Sequence, residues 1–246
     1  MSVLLVDAGN TRVKWAFAGA HGLVAPGAVA HGEAGWIERL EDAWRAHAPV
    51  RIAWLASVAQ PEVEAALLAL LARVAPVERV RSTERLAGVR NGYLEPQRLG
   101  VDRLLAMAGA QAMSLAPALV VGVGTAATID ALAGDGTHCG GLILPSPRAM
   151  QAAVLAQTPV RPRHEGRVTA FARSTEDALA SGAWLALAAC VERSADTFAR
   201  ESSRATGIVL HGGAAPALAA LLERAHVVRE HLVLEGLAAV AADAVR

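Results

Sequence analysis

The chain has 246 residues, 54% of them hydrophobic and 19% charged, and its 23 basic side chains are balanced by 23 acidic ones. That length supports one large domain or two small ones, each with its own core, and that composition excludes intrinsic disorder. Zero net charge excludes a protein whose main surface tracks nucleic-acid phosphates, and Lys14 is the only lysine among the basic residues.

Residues 3–6 form an apolar run stopped by Asp7-Ala8-Gly9-Asn10. Beyond that turn Val13, Trp15 and Phe17 alternate with Lys14 and Ala16, the period of a half-buried strand. Residues 23–30 read as a weaker strand, interrupted by Pro26 and Gly27. The period then changes: Trp36, Ile37, Leu40 and Trp44 share one helix face, opposite Glu38, Arg39, Glu41 and Asp42. Residues 52–58 read as a buried strand, Pro61 opens a leucine-rich helix to about Val74, and residues 77–80 form a short strand. A connector bearing Gly and Pro leads to a helix from about Asp102. Residues 119–123, 127–132 and 138–144 then read as strands with turns at Gly124-Thr125 and Gly134-Asp135-Gly136. Helical patterns surround a strand at 207–210, and residues 217–223 and 232–245 read as helices.

The two halves echo one another. Asp7-Ala8-Gly9-Asn10-Thr11 and Gly122-Val123-Gly124-Thr125 each follow an apolar strand and precede another, and aligning Gly9 with Gly124 aligns Asp7 with Gly122. An internal duplication is expected, with halves of 1–113 and 114–246 and no Ser/Gly-rich linker between them. Cys139 and Cys190 do not make a disulfide framework, which suits a reducing compartment. The start of the chain has no basic region before Asp7, unlike a signal peptide. The longest apolar stretch, around 115–129, is shorter than the roughly 20 residues that span a bilayer and contains Pro117, Gly122 and Gly124. A soluble cytoplasmic protein, with no membrane partner, is expected.

Three places offer chemistry. In the first turn a carboxylate ends a buried strand and Gly, Asn and Thr follow, so backbone N–H groups and a hydroxyl can meet phosphate while Asp7 holds Mg²⁺ or its waters; an ordinary hairpin is the alternative. The second Gly-Thr turn strengthens the phosphate reading. Gly100-Val101-Asp102-Arg103 precedes a helix, where Asp102 either caps it or accepts a hydroxyl proton beside an anion-binding arginine. His211-Gly212-Gly213 permits either close approach of a flat ligand such as adenine or a plain strand-to-helix turn. No Walker A loop, zinc motif or nucleophile elbow occurs, and no basic recognition helix suggests direct nucleic-acid binding.

Taken in order, Asp7-Ala8-Gly9-Asn10-Thr11-Arg12 with Lys14 and Trp15, Asn91-Gly92-Tyr93, Gly100-Val101-Asp102-Arg103, Gly124-Thr125-Ala126-Ala127-Thr128-Ile129-Asp130, Gly140-Gly141-Leu142-Ile143-Leu144-Pro145 and Gly212-Gly213 resemble the type III pantothenate kinases, including the Bvg accessory factor-like members, over essentially the whole chain. The resemblance implies an α/β actin-like ATPase fold (acetate and sugar kinase, Hsc70, actin), with two duplicated RNase H-like halves and a central nucleotide cleft. It implies phosphorylation of pantothenate by ATP with Mg²⁺, the first step of coenzyme A biosynthesis, in a homodimer. By motif, Asp7, Ala8, Gly9, Asn10, Thr11, Arg12, Val13 and Lys14 form the first phosphate loop and Thr125 belongs to the second. Asp102 is the implied general base, Arg103 holds the pantothenate carboxylate, and Tyr93, Gly100, Val101 and Thr175 complete the pocket.

Two positions depart from the family pattern. Gly122 stands where relatives commonly carry an aspartate that helps bind an activating monovalent cation, K⁺ or NH₄⁺, and Ser146 stands where many have glycine after Pro145. Gly122 and the accessory-factor relatives together suggest an alternative, a catalytically weak accessory or regulatory protein on the same fold. A third reading is another actin-like phosphotransferase or phosphatase with a different acceptor, against which the Gly-x-Asp-Arg and Tyr93 matches speak.

Overall fold

A computed structural model describes residues 2–202 and 206–244 of the chain. Two compact units divide it: the first holds the chain up to Ser114, Gly136–His138 and the segment from His231, and the second holds Leu115–Asp135 and Cys139–Glu230.

The first unit begins with three strands, β1 (Ser2–Ala8), β2 (Arg12–Gly19) and β3 (Gly22–Ala30). Helix α1 (Trp36–Arg45), strand β4 (Val50–Ser57), helix α2 (Pro61–Ala72) and strand β5 (Val77–Val80) follow. The sheet order is β3-β2-β1-β4-β5, antiparallel through β1–β2–β3 and parallel through β1–β4–β5. Pro26 and Gly27 do not prevent β3 from pairing, because it is an edge strand and its register slips between Trp15 and Phe17 of its partner. The Trp15 ring takes the space that a side chain at Gly27 would need.

A tight hairpin, β6 (Arg85–Leu86) and β7 (Val89–Arg90), turns through Ala87 and Gly88, both with positive φ. A 3₁₀ turn at Pro96–Arg98 then leads into α3 (Val101–Ala112). Alternation along β1 separates two faces. Leu4, Val6 and Ala8 point into a core with Leu40, Trp44, Leu67, Leu70 and Leu71 of α1 and α2. Leu5 and Asp7 therefore face the other side, where α3 lies against β4.

The second unit repeats this order. Strands β8 (Ala118–Val123), β9 (Ala126–Leu132) and β10 (His138–Pro145) are followed by α4 (Pro147–Gln157), α5 (Thr175–Ser202), β11 (Gly207–His211), α6 (Ala215–Ala219) and β12 (His226–Val228). The sheet order is β10-β9-β8-β11-β12, strand for strand that of the first unit. Leu119, Val121, Val123, Ile129, Ile208 and Leu210 pack on Leu187, Val191, Ala195 and Phe198 of α5. The helix expected at 217–223 is shorter and starts earlier, with Pro216 in its first turn. β12 has no counterpart among the expected strands, since three residues flanked by Arg224 and Arg229 carry too little periodicity to register.

Helix α7 (Leu232–Asp243) closes the first unit by packing on α3 and β1; Val245, the last residue expected in it, lies outside the described residues. The α3–α7 crossing brings backbones into contact. A Cβ on Gly236 would fall on the Leu105 carbonyl, and one on Gly109 would fall on the Leu232 carbonyl oxygen. Among the described residues no helix is long and apolar enough to cross a membrane.

Candidate functional site

The end of β1 and the start of α3 build one cluster. Asp7, the penultimate residue of β1, is buried and stands directly across the hairpin from Lys14 of β2. The β1–β2 turn is closed by the Gly9 N–H donating to the Arg12 carbonyl at 3.0 Å, which leaves Asn10, Thr11 and Arg12 exposed. From outside the turn, the His31 imidazole Nε2 donates to the Gly9 carbonyl at 3.2 Å, and the His31 N–H donates to the Thr11 carbonyl at 3.3 Å. The loop thus keeps exposed polar groups on a fixed frame, as a phosphate-binding turn requires.

Asp102 lies in the first turn of α3, but the capping position belongs to Gly100. The cap reading of Asp102 is thereby corrected: the carboxylate is one step inside the helix. It folds back over Gly100, whose added Cβ would stand 2.6 Å from Asp102 Oδ1, so glycine there leaves room for the carboxylate. Asp102 also acts on Asp7. Burial pushes the Asp7 carboxyl up to about 7, the Asp102 charge pushes in the same direction, and Lys14 opposes both.

Arg103, the next residue, is buried. Its Nη1 donates to the Tyr93 hydroxyl at 2.7 Å, and the guanidinium carbon lies 5.5 Å from the Tyr93 ring centroid. Tyr93 stacks on buried His138, with centroids 5.8 Å apart. Asn91 holds the Tyr93 loop: its Oδ1 accepts from the Tyr93 N–H, and its Nδ2 donates to the carbonyls of Thr83 and Pro96.

The first unit therefore brings Asp7, Lys14, Tyr93, Gly100, Val101, Asp102 and Arg103 together, with the loop residues Ala8, Gly9, Asn10, Thr11, Arg12 and Val13 alongside. Thr125 and Thr175 belong to the second unit. Thr125 is exposed in the β8–β9 turn, where the Gly124 N–H donates to the Ala126 carbonyl at 2.9 Å. Thr175 is the first residue of α5, beneath a preceding segment whose Arg163, Arg167 and Thr169 N–H groups donate to Glu176, Asp177 and Ser181. Those N–H groups hold the Glu176 and Asp177 carboxyls below the usual carboxylate range.

The Gly212-Gly213 pair divides. Gly212 has a φ of 94° and a Cβ there would lie 2.9 Å from the Val123 carbonyl carbon, so the fold itself demands glycine. Gly213 has nothing within 4 Å of its missing Cβ, which leaves one side of the turn open. Ser146 caps α4 by accepting from the Ala149 N–H at 3.3 Å, with Pro147 next to it.

Three supporting residues escaped sequence reasoning about roles: His31, Asn91 and His138. Asn91 had a signal, since it opens the Asn-Gly-Tyr motif. His31 and His138 had none, because each meets its partner far along the chain. Among the described residues no group of three or more His, Cys, Asp or Glu side chains could hold a metal by itself.

Comparison with known proteins adds to this geometry. The profile of the type III pantothenate kinase family matches residues 3–197. A type III pantothenate kinase of Aromatoleum aromaticum is 38% identical over 98% of both chains. One from Xanthomonas euvesicatoria pv. vesicatoria is 42% identical over 97% of this chain and 96% of its own. Among solved structures, a protein described as a Baf family transcriptional activator from Campylobacter jejuni superposes with a TM-score of 0.65 at 18% identity, over 98% of each chain. A glucokinase from an Antarctic psychrotroph superposes with a TM-score of 0.52 at 12% identity, covering 98% and 99%. These likenesses, with the repeated sheet order, show the actin-like ATPase fold.

Proposed function

The chain belongs to the type III pantothenate kinase family, and from that premise we propose that it transfers the γ-phosphoryl group of ATP to the primary hydroxyl of pantothenate, giving 4'-phosphopantothenate at the first step of coenzyme A biosynthesis. The observation that carries the reading is the α3 N-terminus, where Asp102 faces Asp7 of the phosphate turn and the adjacent Arg103 is fixed on Tyr93. An accessory protein without turnover is not favoured, because near full-length relatives at 38% and 42% identity are kinases.

In this scheme Asp102 accepts the pantothenate hydroxyl proton. Phosphoryl transfer through a loose transition state requires proton removal only late, so a carboxylate suffices once the hydroxyl is aligned. Arg103 binds the pantothenate carboxylate, and Tyr93 and His138 hold Arg103 in place, with Gly100 and Val101 next to it in the chain at the start of α3. Residues 7–14 receive phosphate oxygens at the first turn, Lys14 adding positive charge, and Thr125 does so at the second.

Mg²⁺ fits the residues present. It binds through one or two carboxylates plus substrate phosphates rather than in an all-protein cage, and Asp7 beside Asp102 is a carboxylate pair whose repulsion a divalent cation relieves. When bound with ATP the ion would neutralise phosphate charge, with Asp7 holding it or its waters. The aspartate that the family implies as a ligand for a monovalent cation has no counterpart at position 122, where a Cβ would stand 2.8 Å from both His211 Nε2 and Thr128 Oγ1. No step is assigned to K⁺ or NH₄⁺.

The protein works in the cytoplasm as a homodimer in this reading, supported by family likeness. The test is ADP release from ATP and Mg²⁺ with and without pantothenate. Pantothenate-dependent turnover is expected in the wild type, and Asp102→Asn should remove nearly all of it while ATP binding persists. Undiminished turnover in Asp102→Asn would return the proton to another acceptor.

A further inference from the structure

The two sheets can be compared position by position. In the first, Asp7 is the penultimate residue of β1, with Lys14 opposite on the antiparallel partner and Ala56 beside it on the parallel one. In the second, Gly122 is the penultimate residue of β8, with Thr128 opposite on β9 and His211 beside it on β11. Large and small have changed places. The first sheet carries an acidic side chain on its central strand next to alanine; the second carries no side chain there and an imidazole on the neighbouring strand.

The exchange fills one space. His211 Nε2 and Thr128 Oγ1 both lie 2.8 Å from the point where a Gly122 Cβ would stand, and His211 Cε1 lies 3.0 Å from it. Side chains at 122, 128 and 211 lie on the sheet face opposite the α5 core, because their neighbours Val121, Val123, Ala127, Ile129 and Leu210 all point into that core. The place is the carboxyl end of two parallel strands, two residues before the Gly124-Thr125 turn, where open α/β sheets receive ligands. A strand-to-strand swap of this kind keeps the volume filled while replacing a carboxylate, which attracts cations, with an imidazole, which presents an N–H donor.

We infer that His211, supported by Thr128, is a resident substitute for the monovalent cation at the second phosphate turn, and that Gly122 is glycine to make room for it. The inference rests on the kinase reading for what the turn binds, namely the phosphates of a nucleoside triphosphate. His211 is a positioning residue here. It sets the polar environment under the turn, and nucleotide affinity in this protein is consequently independent of K⁺ and NH₄⁺.

The test measures ATP·Mg²⁺ affinity by calorimetry without pantothenate, in matched potassium, ammonium and choline chloride. Wild-type Kd should agree within about twofold across the three salts, and His211→Ala should weaken it at least about tenfold in all of them, the scale of a disrupted hydrogen-bonded support beneath the turn. The double variant His211→Ala, Gly122→Asp should recover affinity in potassium and ammonium but not in choline. A wild-type protein that loses about tenfold or more in choline overturns the inference, and so does a folded His211→Ala that binds ATP as wild type does. Should His211→Ala unfold, as judged by circular dichroism, His211→Gln takes its place, and the wild-type salt comparison decides independently of either variant. Pantothenate-dependent turnover is measured in parallel: its absence with salt-independent ATP binding removes the kinase reading and leaves this one standing.

Discussion

Asp7 and Lys14 are direct cross-strand partners, yet the carboxyl is pushed up to about 7. Burial and the Asp102 charge outweigh the lysine, so the ligand-free first turn holds an acid that is part protonated at neutral pH. Because the folded-state value is raised, the stabilising contribution is fully present below pH 4 or so, falls as pH rises, and is exhausted once pH passes about 7. The ligand-free wild type should therefore lose stability between pH 4 and pH 8 relative to Asp7→Asn, by up to about 4 kcal/mol on the conversion of roughly 1.4 kcal/mol per pH unit. Urea denaturation of both proteins at four pH values checks it; a constant difference across the range would contradict the assignment.

The Asp102 charge is one cause of that shift, so Asp102→Asn should move the midpoint of the pH dependence downward. Removing the Lys14 charge with Lys14→Met should move it upward. The two shifts can be read by NMR titration of the Asp7 carboxyl, and opposite signs are the required outcome.

Arg103 and Tyr93 should act together on pantothenate. Tyr93→Phe removes the acceptor for Arg103 Nη1 while keeping the ring on His138. Its expected effect is a rise of about tenfold in pantothenate KM with little change in kcat, since one hydrogen bond to a charged group is lost. Arg103→Ala should raise KM further. Steady-state kinetics with both substrates varied tells them apart, and a fall confined to kcat would remove the positioning role of Tyr93.

Glycines at three positions make a graded stability test. Gly236→Ala places a methyl group on the Leu105 carbonyl and should cost about 1–3 kcal/mol or more, as overpacking does. Gly213→Ala meets nothing within 4 Å and should leave the melting temperature unchanged. Gly109→Ala belongs with Gly236→Ala, and equal stability of all three proteins would refute the close crossing of α3 and α7.

Ser146→Ala should lower stability by about 1 kcal/mol through loss of the α4 cap, and Ser146→Gly by only a few tenths. Thermal melts suffice to rank them. Ser146 thus acts as a helix cap.

Much of the architecture was legible because strand alternation and turn glycines are local. The run into Asp7, the period change at Trp36 and the proline at Pro61 all mark real element boundaries. The paired glycine-bearing turns after β1 and β8 were readable for the same reason. The supporting groups were not, since His138 reaches Tyr93 over 45 positions and His211 meets Gly122 only through parallel strand pairing. Asp102 illustrates the limit from the other side: its spacing suits a helix cap, and only the backbone at Gly100 shows that the cap lies elsewhere.

Helix α7 has a consequence for how the protein is made. The first unit starts before the second in the chain, but its α3 packs chiefly on a helix that follows all of the second unit. During synthesis the apolar side of α3, with Leu104, Leu105 and Ala108, has no cover from α7 until the segments from Leu115 to Glu230 have been translated. The helix that carries Asp102 and Arg103 is thus completed late: the unit begun first on the ribosome is the one finished last.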